Sequence, residues 1–159
     1  FPPHILPVVA VLTNLVHFLL AIPLLVGAML LSGIYPTVNL LAFPLVVLIE
    51  LVFLLGLSYG FSALNVHYRD IQHILGNLLT LVFFLCPIIY PVDNVPQQFR
   101  FTVSLNPLAA FTQMYHQMFI DGQFPDLRLL GITGVVALIT FAIGNAIFNS
   151  YREYFAELV

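Results

Sequence analysis

Residues 1–49 read FPPHILPVVAVLTNLVHFLLAIPLLVGAMLLSGIYPTVNLLAFPLVVLI and contain no Asp, Glu, Lys or Arg. A helix of ~20 apolar residues crosses the ~30 Å hydrocarbon core of a bilayer, so this run is too long for one crossing. The segment SGIYP at residues 32–36 combines Gly and Pro, which predicts a turn. The run therefore predicts two membrane-spanning helices, at roughly residues 7–31 and 39–64.

Two further charge-free runs follow, at residues 71–92 and 129–151. An ionised side chain costs several kcal/mol in hydrocarbon, so charged residues mark where the chain reaches water. The two runs predict a third and a fourth span, at roughly residues 71–91 and 127–151. The sequence thus predicts an all-α integral membrane fold, a single transmembrane domain over residues 1–159 with no soluble domain.

The composition excludes several other classes of protein. The chain has 159 residues, is 61% hydrophobic and 7% charged, and carries a net charge of −3. Soluble domains have roughly 25% charged residues, and a nucleic-acid binder needs a basic face. Disordered chains are poor in apolar residues. The single cysteine, Cys86, excludes an intrachain disulfide and a thiolate zinc cluster.

The segment between Asp93 and Asp126 is neither a span nor an ordinary loop. Asn106 followed by Pro107 is typical of a helix N-cap and the first helical position. The helix that starts there has an apolar and a polar face and is too short to span. We expect two short helices at roughly residues 95–120 that dip into the membrane interface and return. The alternative is an amphipathic helix that lies on the surface.

Four motifs in this order resemble a known family. They are FPP at residues 1–3, NVHYRDI at 65–71, PIIYP at 87–91 and NPL at 106–108. The series resembles the permease subunit of type-2 ABC exporters, nearest to the group that exports O-antigen, capsular polysaccharide or teichoic acid. All 159 residues fit this frame.

The resemblance implies a six-helix permease of the bacterial cytoplasmic membrane, of which this chain holds the C-terminal part with the last four spans. Its implied partners are a second copy of the permease, an ABC ATPase subunit, the lipid bilayer and a glycan substrate. Both chain ends would be cytoplasmic. The arginines do not decide this orientation, because two of them lie on each side of the membrane. The chain lacks a Gly-rich phosphate loop, so ATP and Mg²⁺ are expected in the ATPase and no cofactor here.

The loop between the second and third spans is the predicted ATPase-facing loop, by the resemblance. Its candidate residues are Asn65, His67, Arg69 and Asp70. A simpler interpretation is that Asp70 complements the N-terminus of the next helix while Arg69 anchors at lipid headgroups. Both interpretations can hold together.

Glu50 is the only carboxylate inside a predicted span, where it should face protein or a water-filled cavity. His17 lies at similar depth, because each residue is ~15 Å from the start of its antiparallel helix. A Glu50–His17 hydrogen bond is one hypothesis; a polar lining for a sugar-conducting path and a protonated Glu50 bonded to a backbone carbonyl are the others. Three tyrosines are further candidates for that path, since a buried hydroxyl needs a partner: Tyr59, Tyr90 and Tyr115.

Other residues are predicted to shape the helices rather than to bind. Three prolines and the predicted N-cap residue Asn106 either form an outer gate or only stabilise a turn. The prolines are Pro87, Pro91 and Pro107. Small residues let helices approach closely in lipid. Two small-residue stripes are predicted to pack helices, one with Gly56, Gly60 and Ala63 and one with Ala142, Ala146 and Ser150. The histidines lack metal-ligand spacing, so no catalytic or metal site is predicted.

The function predicted from the resemblance is outward transport of a lipid-linked or polymeric glycan by an ATP-driven exporter, without covalent chemistry in this chain. A type-2 exporter of drugs or other small molecules is the alternative within the class. Outside the class, a proton-coupled transporter would rest on Glu50 and His17. A membrane enzyme acting on polyprenyl-linked sugars would need clustered polar residues, and only Arg69 with Asp70 comes close.

Overall fold

The computed structural model describes residues 5–67, 70–86, 88, 94, 96–99 and 106–157. Over these residues the chain is helical and forms no strand. The described residues form five α-helices, α1 (Ile5–Leu31), α2 (Phe43–His67), α3 (Ile71–Leu85), α4 (Pro107–Phe119) and α5 (Leu127–Glu157). Short 3₁₀ turns lie at Val38–Ala42 and Gln97–Phe99.

Three of the helical segments are long and apolar enough to cross a membrane. They are Ile5–Leu31, Val38–Asn65 and Leu127–Tyr151, with 27, 28 and 25 residues. Each coincides with a predicted span to within a few residues. Many of their large apolar side chains are exposed, above all on α1, as expected where lipid rather than water surrounds the protein.

The fourth predicted span, residues 71–91, is not confirmed. α3 has 15 residues, which makes it about 22 Å long and shorter than the ~20 residues of a full crossing. The helix ends because Cys86 is extended, at φ −81° and ψ 136°, and a residue that precedes a proline disfavours the helical region. Most of residues 87–93 lie outside the described part of the chain, so this span stays a prediction.

The turn that divides residues 1–49 forms where Gly33 follows α1. Gly33 has φ +78°, a left-handed conformation that favours glycine. Its N–H donates to the carbonyl of Leu30 at 3.1 Å, and the N–H of Ile34 donates to that of Met29 at 2.9 Å. These two bonds make a Schellman cap, which satisfies the last carbonyls of α1 and turns the chain back toward α2.

α2 and α5 form the most extensive helix pair, and their backbones meet at two glycines. A Cβ atom on Gly144 would lie 2.0 Å from the carbonyl oxygen of Gly56, and one on Gly56 would lie 2.5 Å from the backbone nitrogen of Phe141. On α2 the predicted small-residue stripe faces this crossing, and Ala63 is fully buried. On α5 the residue at the crossing is Gly144, whereas Ala142 and Ala146 are exposed.

α4 is the short helix predicted after Asn106, and it packs inside the helix bundle by its apolar face. Phe111, Met114 and Met118 are fully buried in a core shared with α1, α2 and α5. His116 lies on the opposite, exposed face. Of the first member of the predicted pair, the described residues include the 3₁₀ turn at Gln97–Phe99; residues 100–105 lie outside the described part of the chain.

The glycine crossing predicts that Gly144→Ala destabilises the protein by about 1–3 kcal/mol, the usual cost of overpacking. The added methyl group would meet the Gly56 backbone, which cannot move without separating α2 from α5. Gly134→Ala is the matched control on the same helix, because nothing lies within 4 Å of its Cβ position. Thermal unfolding in detergent compares the two; equal melting temperatures would contradict the close crossing.

Candidate functional site

Two cavities lie on either side of α2 at the depth of Glu50. The first cavity, about 440 Å³, lies between α1 and α2 and is lined in part by Asn14, Phe18 and Ser58. The second cavity, about 390 Å³, lies between α2, α3 and α4 and reaches Cys86 and Tyr115. Among the described residues, Glu50 alone lines both cavities.

A third cavity extends this pair toward the end of the bundle where α1 begins and α2 ends. It has a volume of about 650 Å³, and Asn65 and Gln72 are among its polar lining residues. It shares Ser58 with the first cavity and Leu79 with the second. The three cavities together form a groove along α2, flanked by α1 and α3, which we call the α2 groove.

Glu50 is the only charged residue of the sequence before Arg69. Its side chain is partly buried, and its carboxyl Oε2 accepts a hydrogen bond from the hydroxyl of Tyr115 on α4. A carboxyl group at this depth needs a polar partner inside the protein. The structure thus joins two predicted path residues, Glu50 and Tyr115, in one contact.

The ring of Tyr115 is held by aromatic neighbours from two other helices. Its centroid lies 5.8 Å from that of Phe18 on α1 and 6.0 Å from that of Phe43 on α2. Phe43 also meets Phe119 edge to face at 5.6 Å. Aromatic pairs at such distances stabilise packing beyond area burial, so the position of the Tyr115 hydroxyl is fixed by three helices.

Asn106 attaches the start of α4 to the end of α3. Its Oδ1 accepts from the N–H of Leu108 at 3.0 Å, which makes it the N-cap that the sequence predicts. Its Nδ2 donates to the sulfur of Cys86 at 3.3 Å. Pro107 occupies the first turn of α4, where the missing N–H costs nothing. Pro87 and Pro91 of the predicted outer gate lie outside the described residues.

The end of α4 is attached to the turn between α1 and α2. The carbonyl oxygen of Gly122 accepts from Thr37 Oγ1 at 3.0 Å and from Asn39 Nδ2 at 2.8 Å. Gly122 has φ +63°, and a Cβ atom there would lie 2.9 Å from Thr37 Cγ2. Sequence reasoning missed this clamp, because residues 83 and 85 positions apart carry no local signal of their contact.

The remaining path candidates are not gathered at Glu50. His17 is exposed on α1, and no hydrogen bond joins it to Glu50 in the described structure. The prediction rested on similar depth, which does not decide whether the two side chains point toward each other. The hypothesis of a Glu50–His17 pair is thus replaced by Glu50–Tyr115. Tyr59 faces α5, with its ring centroid 5.3 Å from that of Phe148. Tyr90 lies outside the described residues.

The predicted ATPase-facing loop is described in part. Asn65 is exposed at the end of α2 and lines the third cavity. Asp70 caps α3 through its backbone, whose carbonyl accepts from the N–H of His73 at 3.1 Å, and its side chain makes no cap hydrogen bond. His67 ends α2, and its side chain, like the whole of Arg69, lies outside the described part.

The chemistry of the α2 groove is that of a binding surface with few polar groups. Its walls are mainly aliphatic and aromatic, and its carboxyl, hydroxyl and amide groups lie singly along α2. Among the described residues, no group of three His, Cys, Asp or Glu side chains is placed to hold a metal ion. Such a surface can offer hydrogen bonds to hydroxyl groups and apolar contact to the rest of a ligand.

The long apolar helices are those of a multi-pass membrane protein, and a polar contact lies inside the bundle beside the α2 groove. Residues 4–120 match the ABC-2 type transporter family, and the chain belongs to it. Together with the three long apolar helices, this places the chain in the bacterial cytoplasmic membrane. No solved structure matches the chain significantly.

The curated relatives are permeases and transport proteins for polysaccharides. The O-antigen export system permease protein RfbA of Myxococcus xanthus is 38% identical over 161 residues, which cover 100% of this chain and 62% of the relative. The protein of the same name from Klebsiella pneumoniae is 30% identical, with 100% and 61% covered. The polysialic acid transport protein KpsM of Escherichia coli is 21% identical over 91% of this chain and 56% of its own length. The chain thus spans about three fifths of these relatives.

The double role of Asn106 predicts different results for two substitutions. Asn106→Ala should destabilise the protein by about 1 kcal/mol, because the cap of α4 is lost. Asn106→Asp keeps the cap acceptor and loses only the donor to Cys86, so it should retain most of the stability. Asn77→Ala on the exposed face of α3 is the control. Thermal unfolding measures all three, and equal losses for Ala and Asp at position 106 would contradict the capping role.

Proposed function

We propose that the chain is part of the membrane permease of an ATP-driven exporter that moves a lipid-linked or polymeric glycan outward. The observation that carries this proposal is the similarity along the whole chain to permeases named for O-antigen export. The polysialic acid transport protein extends the resemblance to a second polysaccharide system. The chain itself would perform no covalent chemistry.

The α2 groove suits this role because transport of a long polymer requires a surface that contacts it without holding it tightly. Apolar and aromatic walls offer contact to the faces of sugar rings, and single polar groups offer hydrogen bonds to hydroxyls. The polar groups follow α2 from Asn65 through Ser58 to Glu50. A glycan could therefore exchange one hydrogen bond at a time as it moves.

The finer architecture belongs to the same proposal. Residues 71–91 form a fourth span, in which α3 presents Ile74, Leu78 and Phe84 to lipid; all three side chains are exposed. Residues 95–120 form a short cap on the outer side, attached to the end of α3 by the Asn106–Cys86 contact. The permease as a whole has six spans.

The partners proposed are an ABC ATPase subunit and a second copy of the permease. ATP and Mg²⁺ bind in the ATPase, which docks on the cytoplasmic side. The end of α2 and the start of α3 form the ATPase-facing loop of this chain, with Asn65 and Asp70 among its exposed residues. ATPase closure would reach the α2 groove there, since Asn65 also lines the third cavity.

The proposal predicts a specific defect in a cell that lacks the full-length protein. Lipid-linked glycan should accumulate inside while the cell surface loses glycan, because synthesis continues and export stops. Quantifying both pools measures this, and a cell with an ATPase unable to hydrolyse ATP should show the same pattern.

Three other outcomes would contradict the proposal. A normal glycan surface would indicate an exporter of drugs or other small molecules. Loss of glycan both inside and outside would indicate a role in synthesis. Transport that survives loss of the ATPase but stops with a protonophore would indicate a proton-coupled transporter.

A further inference from the structure

The first and second cavities of the α2 groove share one lining residue, Glu50. The first cavity lies on the α1 side of this residue, and the second lies on the α3 and α4 side. Ligand cavities in proteins commonly hold about 300–1,000 Å³, and each of these two falls in that range, at about 440 and 390 Å³. Movement of the Glu50 side chain would join them.

The Tyr115 hydroxyl holds the carboxyl of Glu50 in its place between the cavities. The tyrosine in turn cannot shift alone, because its ring packs against Phe18 of α1 and Phe43 of α2. The contact therefore connects α4 to both long helices that border the first cavity. A change in the position of α4 would release it.

Glu50 has capacity for a second hydrogen bond. Tyr115 donates to Oε2, and among the described residues no second donor reaches the carboxyl. Oε1 is thus an unpaired acceptor. Because no fully buried side-chain oxygen among the described residues lacks a partner, this atom is accessible from the largely apolar cavities. A ligand that brings its own hydroxyl groups would satisfy it.

We propose that the carboxyl of Glu50 is a binding site for a hydroxyl group of the transported molecule, and that the Tyr115 hydroxyl occupies this site when the groove is closed. The proposal rests on the proposed function for the identity of the ligand, a polyhydroxylated chain. A sugar hydroxyl first donates to Oε1 and then replaces Tyr115 at Oε2. The first step adds a hydrogen bond to an unpaired acceptor, and the second makes one hydrogen bond for the one it breaks, so a suitable donor favours opening of the groove.

Cys86 is a built-in reporter of this opening. It is the only cysteine of the sequence, it lines the second cavity, and only 4% of it is exposed. The full-length protein is prepared with any other cysteine replaced by serine, and the rate of Cys86 alkylation by N-ethylmaleimide is measured in membranes. Thermal stability is measured in parallel, so that a folding defect is recognised.

Tyr115→Phe removes the hydroxyl and keeps the ring. We expect it to raise the alkylation rate roughly 3- to 10-fold, the shift that corresponds to one net hydrogen bond. Tyr35→Phe is the control, because it loses the same group from a side chain that is 75% exposed at the α1–α2 turn. An alkylation rate for Tyr115→Phe equal to that of the control would overturn the closed-state contact.

Two substitutions of Glu50 test the hydroxyl site itself. Glu50→Gln retains one carbonyl acceptor of the same shape, so alkylation and glycan export should change less than they do in Glu50→Leu. Glu50→Leu removes the acceptor, so alkylation should rise while export falls roughly tenfold or more. Wild-type export by Glu50→Leu would overturn the hydroxyl site, and so would equal losses for Gln and Leu.

The alkylation measurement needs no substrate and no ATPase. If the protein does not export glycan but Tyr115→Phe still accelerates alkylation, the proposed function fails while the closing contact stands. If the deletion phenotype confirms glycan export but Tyr115→Phe changes nothing, the contact fails while the proposed function stands.

Discussion

The close approach of α2 and α5 at Gly56 and Gly144 is the constraint on which the remaining structure depends. Lipid tails are as apolar as leucine, so the hydrophobic effect does not drive helices together inside a bilayer. Cohesion comes from van der Waals contact and a few interhelical hydrogen bonds, and contact is greatest where side chains are absent. With this pair fixed, the other face of α2 is free to carry α1, α4 and the groove.

Among the described residues, the side-chain hydrogen bonds between distant parts of the chain converge on α4 and the turn that follows it. One attaches its start to Cys86, one attaches Tyr115 to Glu50, and a pair clamps the following Gly122 to Thr37 and Asn39. α4 is too short to span the membrane, yet among the described helices it contributes the largest number of buried side chains to the core. Its position is therefore set by tertiary contacts at three points, and the groove has its wall because α4 is held there.

Local rules predicted much of the fold, because charge and length decide where a chain can cross a bilayer. The turn after Leu31, the cap at Asn106 and the three long helices all follow from residues within a few positions of each other. The fourth span is different: Cys86 and Pro87 end α3 after 15 residues, and hydropathy alone does not register such a break. The depth of Glu50 was predictable because the rise per residue fixes how far along its helix a residue lies. Its partner was not predictable, because the direction in which the side chain points depends on how the helices are rotated when they pack.

The sequence by itself determined that this is a multi-pass membrane protein, because a chain with 7% charged residues cannot cover itself with a water-soluble surface. It also determined the bounds of the long helices and the glycines that can bring helices together. Only the tertiary structure decided that Gly144 meets Gly56, that Tyr115 rather than His17 reaches Glu50, and that Gly122 receives Thr37 and Asn39. These pairings join residues between 65 and 88 positions apart, and they depend on the rotation and crossing of packed helices, which no local pattern of residues specifies.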